Sequence, residues 1–162
     1  MKINPLKQPD DTACGPTSIQ MIAEYFHTGH TFADIASVSE YIKKDGLSNA
    51  DLLDTLSALG FSVRSKHDSV WSDLVRNNTS DKVIIVSWML HGYIGHFSVV
   101  NSIDKNSITL AEPESGTLVT MEKIIFMRLW MDYDDLWYPV KSTDIQLRWM
   151  CTVTQKRKTR DK

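Results

Sequence analysis

Cysteine is scarce in this chain: Cys14 and Cys151 are the only two in 162 residues. That excludes the disulfide framework that staples small secreted domains. A single bridge between the two is possible, but it would silence Cys14, and a reduced, cytoplasmic setting is the simpler expectation. The sequons at Asn77 and Asn78 then mean nothing, because glycosylation needs secretion. Long apolar runs are also missing. The nearest, residues 83–100, is interrupted by His91, Gly92, Gly95 and His96 and is too polar to span a bilayer. The opening Met1-Lys2-Ile3-Asn4-Pro5 has no apolar core or cleavage site, so no signal peptide is expected. No sign of charge dominates. A net charge of −2 gives no global attraction for nucleic acid or anionic membrane.

What is present reads as an ordinary globular chain, 42% hydrophobic with five tryptophans, and long enough for one domain with a real core. Neither an internal repeat nor a linker is visible. We expect one domain over residues 1–155 and a basic, disordered tail over residues 156–162.

Helical signals come first. Pro16 marks the start of a helix, since proline is well tolerated at the first helical position, and Ile19, Ile22, Ala23 and Phe26 then recur at helical spacing. Thr31 caps a second helix, with Phe32, Ile35, Ala36 and Val38 inward and Gly46 closing it. Ser48 caps a third over residues 49–59, ended by Gly60, and a short strand (Phe61–Arg64) and a helix at about residues 70–76 follow. Strands dominate thereafter. Lys82–Trp88 is a β-branched run of the kind buried on both faces. His91–Gly95 is a loop, His96–Ile103 a strand, Asp104–Asn106 a tight turn and Ser107–Glu112 the returning strand. Thr120 is expected to cap a helix over residues 121–130, and residues 131–142 to be irregular. Ile145, Leu147, Trp149, Cys151 and Val153 alternate as one half-buried strand, which makes Cys151 a core residue. Helices followed by an antiparallel sheet give the α+β class.

Cys14 stands between a polar loop and that first helix. A thiol there faces free N–H groups and the positive end of the helix dipole, both of which favour thiolate, the nucleophilic form. Gln8, six positions earlier, can return beside the sulfur as an amide donor. Most free cysteines are simply buried under a helix, so the nucleophile reading needs a base and a group to orient it. Five histidines compete. His27 and His30 end a helix, and no further ligand cluster accompanies them, so no metal is expected. His67 lies in a polar loop. His91, in a glycine-containing loop, is a lesser candidate.

His96 is the strongest. It opens a strand after Gly95, where backbone approaches a ligand closely. The turn at 104–106 brings Glu112 to within about two residues of it across the ladder. Asn101 and Asp104 also compete as orienters, but five residues of extended strand is about 17 Å. Whether His96 and Glu112 share a face stays open at this level.

Three stretches carry a family resemblance. Gln8 with Asp11 and Cys14-Gly15-Pro16, followed by Met21, resembles the glutamine, nucleophile and first helix of the C39 family of papain-like cysteine peptidases. That family includes the double-glycine leader peptidase domains of bacteriocin exporters. Gly95-His96-Phe97-Ser98-Val99-Val100 resembles its histidine strand, and Ile108-Thr109-Leu110-Ala111-Glu112-Pro113 the strand ending in its third catalytic residue. The similarity spans residues 1–130. It implies a papain-like fold, with the nucleophile at a helix N-terminus packed on an antiparallel sheet. It further implies Cys14 as nucleophile, His96 as base and then acid, Glu112 as orienter, and Gln8 with the Cys14 N–H as oxyanion donors. No cofactor is implied.

Two departures from the family pattern stand out. Glu112 occupies a place that usually holds aspartate, and no transporter accompanies the peptidase part, so a free-standing enzyme acting on a peptide or protein is expected. An acyltransferase with the same triad is the first alternative. A peptide-binding module that does not cut is the second.

Overall fold

The computed structural model describes residues 3–133 and 138–156. The chain first lays down helices. α1 spans Cys14–Tyr25 and buries Ile19, Ile22 and Ala23. Pro16 is thus the third helical residue, and the helix starts at the cysteine itself. α2 (Phe32–Ser39) and α4 (Asn49–Ala58) each open with a complete capping box, Thr31 with Asp34 and Ser48 with Asp51. The side-chain oxygen takes an N3 N–H while the carboxylate returns to the cap N–H, at about 1 kcal/mol for such a cap.

The second helix ends earlier than expected. Glu40 adopts φ 52°, and a separate turn, α3 (Tyr41–Lys44), follows. The break turns Tyr41 into the core, while Val38, expected inside, is exposed.

Among the described residues, eight strands follow the helical part or interleave with its end. A six-stranded sheet has the order β1 (Phe61–Lys66), β8 (Met150–Gln155), β2 (Val83–Leu90), β3 (Ile94–Ile103), β4 (Ser107–Glu112), β5 (Thr117–Glu122). Every pairing in it is antiparallel. All eight residues of β2 are buried, as its unbroken apolar run requires. One apolar cluster joins Ile85, Phe97, Val99 and Cys151 to Ile19 and Ile22 of α1. The other joins Val86, Trp88 and Leu110 to Trp71 of α5 (Trp71–Asn77) and Phe126 of α6 (Lys123–Leu129). The sheet is therefore covered on both faces.

Three strand expectations need correction. Thr120 does not cap a helix. Residues 117–122 pair with β4 through the turn at Gly116, and α6 begins only at Lys123. Three β-branched residues among the six (Thr117, Val119 and Thr120) and a partner edge outweigh the local cap signal. The alternating stretch 145–153 is not one strand either. Arg148 sits at φ 50° and splits it into β7 (Ile145–Leu147) and β8. β7 pairs with β6 (Met131–Tyr133) in a separate two-stranded sheet, so part of the stretch expected to be irregular is ordered. The split is held by the Arg148 N–H donating to the Trp130 carbonyl and by the Trp130 indole donating to the Trp149 carbonyl. Residues 134–137 and most of the expected basic tail, 157–162, lie outside the described residues.

Among the described residues, no helix is long and apolar enough to cross a membrane.

Candidate active site

The site forms where α1 meets the paired ends of β3 and β4. Cys14 is the first residue of α1, and Ala13 before it supplies no side-chain cap. The first turn of the helix is thus left to act on the sulfur. The residue after Cys14 is packed tightly. A Cβ on Gly15 would stand 2.9 Å from Leu47 Cδ1, so the small residue lets the loop before α4 close over the helix start.

His96 comes from β3, opposite Trp88 on β2, and Val99 pairs with Ala111 on β4. That register sets Glu112, the last residue of β4, two positions from His96, as the hairpin argument required. The two side chains do meet. His96 Nε2 and Glu112 Oε1 form a hydrogen bond, and His96 and Glu112 are only 4% and 2% exposed. The Trp88 and His96 rings stand nearly perpendicular, with centroids 6.2 Å apart.

Glu112 is held from its other side as well. Oε1 accepts the Glu114 N–H at 3.1 Å and Oε2 accepts the Ser115 N–H at 3.0 Å. The longer glutamate side chain folds back over its own turn to collect these donors while still reaching the ring. Burial opposes its charge, yet the hydrogen bonds from His96 and the two amides hold the carboxyl below the usual glutamate range.

On the imidazole the same contest runs the other way. Burial disfavours its charged form, but hydrogen bonding and charge interaction with Cys14 and with Glu112 push His96 up to about 9. With Nε2 engaged by Glu112, Nδ1 is the nitrogen left for the sulfur. One buried imidazole is therefore bonded to a carboxylate and interacts with a thiol, a combination able to move a proton from sulfur to a leaving group.

Gln8 is tied to both sides of the site. Its backbone N–H donates to the carbonyl of Pro113, the residue after Glu112. Its amide nitrogen donates to the Asp10 carbonyl at 2.8 Å, and that same carbonyl takes the N–H of Ala13, next to the cysteine. Among the described residues, the other amide hydrogen meets no acceptor and Oε1 is buried without a hydrogen-bond partner. The loop that carries Gln8 is fixed through Asp10, whose carboxylate accepts from Tyr41 Oη at 2.8 Å and from the Thr12 N–H and hydroxyl. Lys7 lies so close to Gly116 that a Cβ there would come within 2.8–3.1 Å of it.

The competing residues are elsewhere. Asn101 accepts the Ile3 N–H and anchors the N-terminal segment, while Asp104 caps its own turn through the Asn106 and Ser107 N–H groups. His91 forms an exposed pair with Glu114 at 3.0 Å. His30 bonds the Leu59 carbonyl. Both cysteines are free thiols, and burial pushes Cys151 up to about 12. The described residues contain no group of three or more histidine, cysteine, aspartate or glutamate side chains able to hold a metal ion.

Sequence reasoning missed one charged group near the site. Asp132, on β6, packs against Gly95 and accepts from Ser87 Oγ at 2.5 Å. It comes from a stretch without strong periodicity, on a strand that pairs with β7 and packs on β2 and β3.

Comparison with known proteins follows the same lines. The profile of the Peptidase C39 family matches residues 2–134. An uncharacterized protein of Methanothermobacter marburgensis is 24% identical over 124 residues, 76% of this chain and 80% of that one. The peptidase domain of Streptococcus ComA, a bifunctional ABC transporter of a quorum-sensing pathway, superposes with a TM-score of 0.73. It is 17% identical, over 96% of this chain and all of that one. A double-glycine-motif protease from an AMS/PCAT transporter, solved with its leader peptide, gives a TM-score of 0.70 at 16% identity, over 95% and 93% of the two chains.

Proposed function

The chain belongs to the peptidase C39 family, and from that premise we propose that it is a cysteine peptidase whose nucleophile is Cys14. The observation that carries the reading is the buried His96, bonded at Nε2 to Glu112 and interacting with the Cys14 sulfur. In the proposed reaction Cys14 gives its proton to His96 and the thiolate attacks a peptide carbonyl carbon. The C–N bond then breaks as His96 returns the proton to the departing amine. A water, deprotonated by His96, releases the acyl group and restores the thiol. The free N–H of the Gln8 amide and the Cys14 backbone N–H are the donors for the oxyanion. Glu112 keeps the imidazole in the tautomer that presents Nδ1 to sulfur and stabilises its cation.

Peptide is the proposed substrate class. The AMS/PCAT protease, whose fold this chain shares, was solved with a leader peptide. A reducing compartment, the cytoplasm, suits a thiol that has to stay free. A module that binds without cutting has less support, because Glu112 is turned onto His96 and is anchored by two backbone amides. Acyl transfer to an amine would use the same groups with a different acceptor.

A diverse peptide library tests the proposal, with new N-termini counted by mass spectrometry. Wild type should generate them and Cys14→Ser should not. Termini that persist in the variant, or that never form with wild type, would overturn the assignment.

A further inference from the structure

Two carboxylates, not one, meet the strand that carries the imidazole, Glu112 at the ring and Asp132 at the backbone of Gly95. Glu112 arrives along β4, whereas Asp132 arrives from the β6–β7 sheet and rests on the β2–β3 ladder. Its Oδ2 accepts from Ser87 Oγ at 2.5 Å, and its Oδ1 accepts from the Tyr133 N–H at 2.7 Å. Its position over Gly95 is tight. A Cβ on Gly95 would lie 2.5 Å from Oδ1 and 3.1 Å from Cγ and Oδ2. Gly95 directly precedes His96, so the carboxylate presses on the backbone that carries the base. The contact also explains why that position has no side chain.

A clamp of this kind could be built from neutral groups. Burying a carboxylate is costly unless a cation answers it. Among the described residues, no lysine or arginine pairs with Asp132. Burial raises its carboxyl above the usual aspartate range, opposed by the Ser87 and Tyr133 hydrogen bonds and by the charge of His96. Among the described residues, the ionisable groups that interact with His96 are Cys14 from α1, Glu112 from β4 and, through charge alone, Asp132 from β6. β2 contributes the uncharged Trp88 and Ser87. Among the described residues, the charge interaction with His96 is the cationic influence acting on Asp132.

We propose that Asp132 is a positioning residue for His96, clamping the strand at Gly95 and supplying a second negative charge that favours the imidazolium. It takes no proton itself. The proton passes from Cys14 to His96 and on to the leaving amine, and Asp132 acts on the middle state. The inference rests on the reading of His96 as the base, and it adds a residue that neither the motif stretches nor the triad geometry requires.

The test is an NMR titration of the five histidines through their ring Cε1–H signals, with His96 assigned by His96→Gln. In Asp132→Asn, which keeps the shape of the contact, the His96 midpoint should move down by about half a pH unit or more, the sign expected for a lost nearby anion. Gly95→Ala, whose methyl displaces the carboxylate, should reproduce the shift. Ser87→Ala, which keeps the charge, should move it less.

Rates give the second readout. The kcat for peptide cleavage by Asp132→Asn should fall roughly 10-fold or more, since small displacements of a catalytic group carry costs of that size. A His96 midpoint identical in wild type and Asp132→Asn would overturn the proposal, even if the variant melted at a lower temperature. A wild-type His96 with an ordinary midpoint would instead count against the Cys–His–Glu reading, so the two failures are told apart.

Discussion

Two histidine–carboxylate pairs lie at the same end of the sheet, and they differ in nearly everything except residue type. His91 and Glu114 meet at 3.0 Å with side chains 53% and 45% exposed. His96 and Glu112 meet in the interior, where the carboxylate has two backbone donors and the ring also interacts with a cysteine. An exposed pair is worth at most about 1 kcal/mol and is screened by salt. In the buried pair water does not compete, each partner fixes the other's protonation, and the imidazole is raised to about 9. Under the proposed function, burial and a third group are what turn the same contact into chemistry.

The comparison breaks most completely at the sulfur and the ring. Cys14→Ala should abolish peptide cleavage, and His96→Ala should lower kcat by about 10⁴-fold or more, the loss seen when a member of such a unit is removed. Next in size comes Glu112. Glu112→Gln keeps the shape but removes the charge, and kcat/KM should fall by roughly 10²–10⁴-fold. Glu112→Ala should also destabilise the fold by about 2–3 kcal/mol, because the Glu114 and Ser115 amides and the ring lose their acceptor. Urea unfolding at neutral pH measures that difference.

The pH dependence of stability sharpens the same contrast. The His96 pKa is higher folded (about 9) than its ordinary value of 6.5. Its stabilising contribution is therefore complete below about pH 6.5 and is lost as pH rises through 9. Wild type should lose a few kcal/mol of stability across that window, and His96→Gln should lose much less. A smaller effect is expected at Gly116, where a methyl would push on Lys7 at 2.8–3.1 Å and shift Gln8. Gly116→Ala should reduce kcat by about 10-fold with little change in KM. The smallest belongs to the exposed pair. His91→Ala should leave kcat/KM within about twofold of wild type.

Much of this was legible in the chain, and for local reasons. Thr31 and Ser48 announce capping boxes through residues three positions away, and both form. The β2 run is unbroken because both of its faces are covered. The His96–Glu112 pair could be argued from one short turn between two strands. What stayed hidden depends on distant partners. β5 forms because β4 offers it an edge. The stretch 145–153 breaks because Arg148 and Trp149 answer to Trp130, nearly twenty residues away. Asp132 reaches Gly95 from β6, a strand whose partner β7 lies beyond it in the chain, a contact without a spacing rule to betray it.

The most direct measurement is the rate of iodoacetamide alkylation from pH 4 to 9 for wild type and His96→Ala, with the adduct located by mass spectrometry. Buried Cys151 serves as the internal reference. An activated Cys14–His96 pair should give rapid labelling of Cys14 well below pH 8 that slows markedly in the variant. Labelling that rises with pH like an ordinary thiol, identical in both proteins, would contradict the catalytic assignment of Cys14.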